Sequence, residues 1–351
     1  MKEKLKKKFY ATAIGSVPHT DEVAVCKNIL KNYKEIPFWP QMPKRAFFEN
    51  MYAQFLEGFP CAVIDEAKNK VWIDTSKDLL GEIEKTYQRI LEEDCEYFSI
   101  TKKAAAGFHA FLSLAENADL KNVSFLKGHI TGPISFGLSV TDENKQSILY
   151  HPELSETLVK VLAIKAKYQI RRLKSVFSDV IIFIDEPYLV SIGSSVINIK
   201  TEDVTTKIRE IVAAIHEEGA LAGIHCCGNT DWSILLGLDL DILNFDAYNY
   251  PKSISLYPEA VKNFLNNGGV LAWGISPTSD AIKREKEDGL IERLKEGFGY
   301  LTKKGIKEGQ ILDSLMVTPS CGLGTMDIEE ADRVLDLNIA VSNRLKEIYG
   351  R

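Results

Sequence analysis

Apolar positions along the chain follow two periods. Short runs rich in β-branched residues predict strands at Ala11–Gly15, Cys61–Ile64, Phe125–Ile130, Val180–Asp185, Ala220–His225, Ile242–Phe245, Val270–Trp273 and Leu315–Thr318. Between them, stretches such as Leu154–Phe177 and Thr205–Glu218 place apolar residues at three- and four-residue spacing, the signature of amphipathic helices. Gly219 and Gly305 stand where such helices should stop. Strands separated by helices pair in parallel, and eight of them close a (β/α)8 TIM barrel. The other arrangement open to this pattern is a doubly wound sheet. It would call for a glycine-rich phosphate fingerprint after an early strand, and neither GxGxxG nor GxxxxGK[ST] occurs.

Two segments fall outside the repeat. Tyr33–Phe59 carries Pro37, Pro40 and Pro43 and is too long and irregular for a simple loop, so it is expected as an elaborated cap over the barrel mouth. Residues 1–8 read as a frayed basic tail, and 9–351 as a single barrel domain. The tail resembles the start of a signal peptide, but Pro18, His19, Asp21 and Glu22 interrupt what would be the apolar segment. Lys283–Asp288 is a charge run on a solvated helix face.

Composition narrows the function class. Of 351 residues 45% are hydrophobic and 26% charged, which is ordinary for a globular chain. A net charge of −6 argues against binding nucleic acid or an anionic membrane surface. No apolar run is long enough to span a bilayer, and six cysteines are too few for a disulfide scaffold. A cytoplasmic enzyme is the expectation.

The candidate chemistry gathers at strand ends. In His225-Cys226-Cys227, alternation puts His225 and Cys227 on one face, with Cα atoms about 6.6 Å apart. That is a span two ligands of one zinc ion can bridge. Barrel strands deliver their C-terminal ends to one face, which brings Asp246 and Cys321 into reach as further metal ligands. HxC alone also fits buried packing cysteines, the reading given to Cys26, Cys61 and Cys95. Asp185-Glu186-Pro187 ends another strand; Asp185 there suits a substrate ammonium group, with a salt bridge in the loop layer as the alternative. Ile14-Gly15-Ser16 closes the first strand, with bare backbone at Gly15 for close approach of a ligand.

Taken in order, IGS (Ile14–Ser16), HITGP (His129–Pro133), IDEP (Ile184–Pro187), HCC (His225–Cys227), NFD (Asn244–Asp246) and PSCGLGT (Pro319–Thr325) resemble the C-terminal catalytic barrel of the cobalamin-independent methionine synthase family, within the uroporphyrinogen decarboxylase-like superfamily. The last motif is similar to that family's PDCGLKTR. The resemblance implies a zinc ion held by His225, Cys227 and Cys321 that activates the thiol of homocysteine. Asp246 stands where the family has a glutamate ligand. It further implies that Ile14, Gly15 and Ser16 contact the amino acid's carboxylate and backbone, that Asp185 takes its ammonium, and that Glu49 in FFENM lies near another substrate-binding acid. A free thiol is only a few per cent ionised at neutral pH, so full deprotonation on zinc is worth up to about 30-fold, or about 2 kcal/mol.

Two departures bear on the methyl donor. The chain is about half as long as the family's full-length enzymes, and WGISP at Trp273–Pro277 puts Ile275 where the family's DIHSP has a histidine that protonates a leaving folate. A Co(I) corrinoid leaving group needs no such proton. The expected donor is therefore a methyl-corrinoid, either methylcobalamin or a corrinoid protein. The competing readings are a corrinoid-dependent methyltransferase acting on coenzyme M or tetrahydrofolate, a decarboxylase on the same fold, and a non-catalytic zinc-binding protein. Coenzyme M would want a cation for its sulfonate, and a decarboxylase would want arginines at the strand ends, where none is found.

Overall fold

The computed structural model describes residues 1–192 and 197–350. Its strands are β1 (Ala62–Asp65), β2 (Lys70–Ile73), β3 (Leu126–Thr131), β4 (Thr141–Asp142), β5 (Val180–Asp185), β6 (Leu221–Cys226), β7 (Ile242–Phe245), β8 (Val270–Ser276) and β9 (Leu315–Pro319). The main sheet runs β3-β5-β6-β7-β8-β9, parallel throughout, with helices packed between successive strands. Alternation sorts its residues into two apolar clusters. Ile181, Phe183, Leu221, Ile242, Val270, Ala272 and Met316 fill the inside of the curl. Ile182, Ile184, Ala222, Ile224, Leu243, Phe245, Leu271 and Val317 face the helices.

The six strands match the expected ones to within a few residues, but the two remaining staves differ. Ala11–Gly15 is not a strand. Its backbone nevertheless bonds β9, with Val317 N–H donating to the Tyr10 carbonyl and Thr12 N–H to the Val317 carbonyl. The second stave is not Cys61–Ile64, which instead opens a small separate sheet, β1-β2-β4. It lies inside the segment expected as cap. Trp39 N–H donates to the Lys127 carbonyl on β3, and Gln41 N–H to the Gly15 carbonyl at 3.0 Å. Pro37 and Pro40 remove donors on either side, so this stave makes isolated bridges that no run of strand residues announces. Through these bridges the two edges of the six-stranded sheet are joined, in the manner of an α/β barrel. The rest of the cap expectation survives in part: the Met51 carbonyl accepts from Thr131 at the C-terminal end of β3.

Residues 1–8 are docked, not frayed. Leu5 is 2% exposed and belongs to the inner cluster at the end opposite the strand C-termini. Lys2 pairs with Asp241 at 2.8 Å and Lys4 with Asp179 at 2.7 Å. The buried Asp241 carboxylate also accepts from His216 at 2.9 Å and Ala222 N–H at 2.7 Å. The hydrogen bond to Asp241 lifts the His216 imidazole above its usual range. The imidazolium is thus favoured in the folded state. Its stabilisation is complete below the unfolded pKa of roughly 6.5 and is lost as pH rises through the higher folded value. Thermal melts should therefore show the midpoint falling as pH rises above roughly 6.5, and falling less in His216→Gln. Among the described residues no helix is long and apolar enough to cross a membrane.

Candidate metal and thiol site

Parallel strands deliver inward side chains to one end, and the sequence places chemistry there. His225 is buried on the inner face of β6, and Cys227 follows just past the strand end. Cys321 lies beyond β9. One ligand atom from each of His225, Cys227 and Cys321 falls within 4.8 Å of the others. Cys226 takes the opposite direction, as alternation requires; its buried thiol points to the Gly228 carbonyl at 3.7 Å, and burial pushes it up to about 12.

The donor set fits a metal ion. His225 Nδ1 bonds Asn244 Oδ1, while its Nε2 is buried without a hydrogen-bond partner. Asn244 cannot turn over, because its amide nitrogen donates to the Ala272 carbonyl at 2.9 Å and to Thr318 Oγ1 at 2.6 Å. Its oxygen must face His225, so the proton sits on Nδ1 and the Nε2 lone pair is left free. Holding a ligating histidine through its other ring nitrogen is how proteins fix tautomer and aim. Cys321 and His225, close beside it, pull the Cys227 thiol well below its usual range, and the Cys227 sulfur in turn pushes Cys321 up. Two soft sulfurs with an imidazole nitrogen are a zinc donor set with one position left open. We expect Asn244→Ala to weaken zinc binding about 10- to 100-fold, as measured by competition with a chromophoric chelator.

Asp246 lies outside this group of three. It is buried just past the end of β7, and its two oxygens accept from the Asn249 backbone and side chain at 2.8 and 2.7 Å. Asp185, at the end of β5, has one carboxylate oxygen buried without a partner. Burial pushes its carboxyl up to about 6 against the pull of His225 and Lys127.

The neighbouring Glu186 serves another purpose than an amino acid site. It is fully buried and accepts from Ile134 N–H, Ser135 N–H and Ser135 Oγ at 2.8, 2.8 and 2.6 Å. These are the free donors at the start of helix Pro133–Ser139, which has no capping side chain of its own. A Cβ on Gly132 would stand 2.2 Å from the Glu186 carboxyl carbon. HITGP and IDEP are thus two halves of one joint: glycine admits the carboxylate, proline opens the helix, and glutamate caps it.

The other expected contacts are spread around the mouth. The Ile14 carbonyl accepts from the buried Lys127 ammonium at 2.6 Å. The Ser16 carbonyl accepts from Leu323 N–H at 2.9 Å, and its hydroxyl from Gly324 N–H at 3.4 Å, which ties the IGS segment to the loop carrying Cys321. The Glu49 carboxylate is fully buried and taken by Met42 N–H at 3.0 Å and by Arg45. Asn244 was quoted in a motif without a role. Its place immediately after an alternating apolar run, on the inward face beside an HxC strand, is the signal that could have found it.

No family model matches the chain, and no curated protein matches it. Among solved structures, it is similar to a B12-independent methionine synthase from Shewanella sp. W3-18-1 in complex with selenomethionine. The identity is 17%, over 69% of this chain and 68% of that one, with a TM-score of 0.47.

Proposed function

We propose that the chain is a zinc-dependent methyltransferase that methylates the thiol of homocysteine to give methionine, with a methyl-corrinoid as donor. The observation that carries this reading is the convergence of His225 Nε2, free and buried, with Cys227 and Cys321. Zinc held there would make the substrate thiol a thiolate at neutral pH. The chain's own residues do the remainder. Asn244 and Thr318 hold the imidazole in its ligating tautomer, and Asp185 offers an unpaired carboxylate oxygen to the ammonium of the amino acid. Positioning of the thiol against the incoming methyl group at the strand ends would contribute most to the rate.

The choice of donor rests on Ile275, which is fully buried among apolar residues and has no proton to give. The similar solved structure is named B12-independent and lends the corrinoid no support. The test mixes zinc-loaded protein anaerobically with homocysteine and methylcobalamin and follows corrinoid demethylation by absorbance. Demethylation lost in Cys321→Ser supports the reading. Activity with methyl-folate alone would refute the corrinoid donor, and methylation of coenzyme M in place of homocysteine would refute the acceptor.

A further inference from the structure

Deeper in the same mouth, His129 has an environment that the metal site does not explain. It is 2% exposed, and neither ring nitrogen has a hydrogen-bond partner. A buried imidazole left so is costly, and native structures keep such groups for a reason. The ring is also held firmly. It stacks on Trp39 at 3.9 Å between centroids; Trp39 Nε1 donates to Gln169 Oε1 at 3.0 Å, and Gln169 Nε2 donates to the His129 carbonyl at 2.9 Å. Gly15 lies against one edge: a Cβ there would stand 2.4 Å from Nδ1 and 2.7 Å from Cε1. With φ of +149°, Gly15 has backbone that favours glycine, and the missing side chain is what makes room for the ring. Nε2 is the ring nitrogen farther from Gly15.

The neighbours define the ligand. Lys127, His129 and Thr131 alternate onto the inner face of β3, and Thr131 is in register with Asp185. Lys127 is fully buried, its ammonium bonded to the Ile14 carbonyl and 4.3 Å from the Phe183 ring centre. Burial and the Lys127 charge hold His129 well below its usual range, so the ring is neutral and carries one N–H donor. Burial pulls the Lys127 amine down to about 7, so it carries part of a positive charge at neutral pH; a donor beside it suits an anion, and the unpaired Asp185 oxygen suits a cation.

We propose that His129 reads the carboxylate of an amino acid thiol through Nε2–H, while Asp185 takes the ammonium and the thiol reaches His225, Cys227 and Cys321. This rests on the thiol reading above and adds to it the reason an α-amino acid is chosen over a simple aminothiol. The IGS segment contributes through Gly15, as the backing of the His129 ring; the Ile14 carbonyl and the Ser16 carbonyl already accept bonds within the protein.

Cobalt-substituted protein titrated with homocysteine, and with aminopropanethiol, which lacks only the carboxylate, tests this through the sulfur-to-cobalt absorption bands. The wild type should bind homocysteine about 10- to 100-fold more tightly, as a charge-assisted hydrogen bond provides. In His129→Phe, which keeps the stacking ring, the preference should fall to about threefold or less with aminopropanethiol affinity unchanged. His129→Gln, which keeps a donor, should retain part of it. Equal affinities in the wild type, or a preference undiminished in both variants, would overturn the role of His129 alone. Absence of any spectral change with either thiol would instead overturn the thiol reading and this inference with it.

Discussion

Cys321→Ser should lose zinc binding by about two to three orders of magnitude and lose thiol methylation with it. Structural zinc sites with four Cys and His ligands bind with about 10–16 kcal/mol shared over those ligands, which makes one thiolate worth about 3–4 kcal/mol. The cost is larger than a packing change at this position because Cys321 supplies one of the two sulfurs in the group, and its loss leaves His225 and Cys227 alone. The fold should persist, since the loop is also held by the bonds from Leu323 and Gly324 to Ser16 and from Ser320 N–H to the Ser276 carbonyl. Metal content after dialysis against a weak chelator checks the first part, and circular dichroism the second. Cys226→Ser, on the opposite face of the strand, should keep its metal.

Glu186→Ala should destabilise the folded protein by about 3–5 kcal/mol, as removal of a buried, fully bonded carboxylate does. Three donors lose their acceptor at once: the amides of Ile134 and Ser135 and the Ser135 hydroxyl, which itself accepts from Tyr188 N–H at 3.0 Å. Buried donors without acceptors cost about 1–3 kcal/mol each. Glu186→Gln keeps the shape but sets an amide N–H2 against donors, so it should cost about 1–3 kcal/mol. Urea denaturation would show these as a lower midpoint at unchanged slope. Because the joint ties the loop after β3 to the loop after β5, thiol affinity should fall too, through Asp185.

How far the sequence reaches depends on whether a signal is local. The strands of the main sheet were legible because most are apolar runs buried on both faces (β3, with Lys127 and His129, is the mixed one), and Val180–Asp185 and Ile242–Phe245 agree residue for residue. His225, Cys227 and Cys321 were legible because strand-end position is enough to bring them together in a parallel sheet. The second stave was not. Trp39 and Gln41 are separated by Pro40 and bond to different neighbours, so no period-two pattern exists to read. Cys61–Ile64 has the right pattern but pairs with a hairpin partner, Val71 and Trp72 included, which only the tertiary structure decides. The basic start of the chain hid one buried residue, Leu5, among lysines. The roles of Glu186 and Asn244 are not legible locally, because their partners, Ser135 and Thr318, lie 51 and 74 residues away.

X-ray absorption at the zinc edge, taken on zinc-loaded protein before and after homocysteine is added, tests the central claim most directly. Two sulfur ligands and the His225 nitrogen should be seen first, from Cys227 and Cys321, and a third sulfur should appear with the thiol. A coordination shell with fewer than two sulfurs, or one that homocysteine leaves unchanged, would contradict a thiol-activating centre at this site.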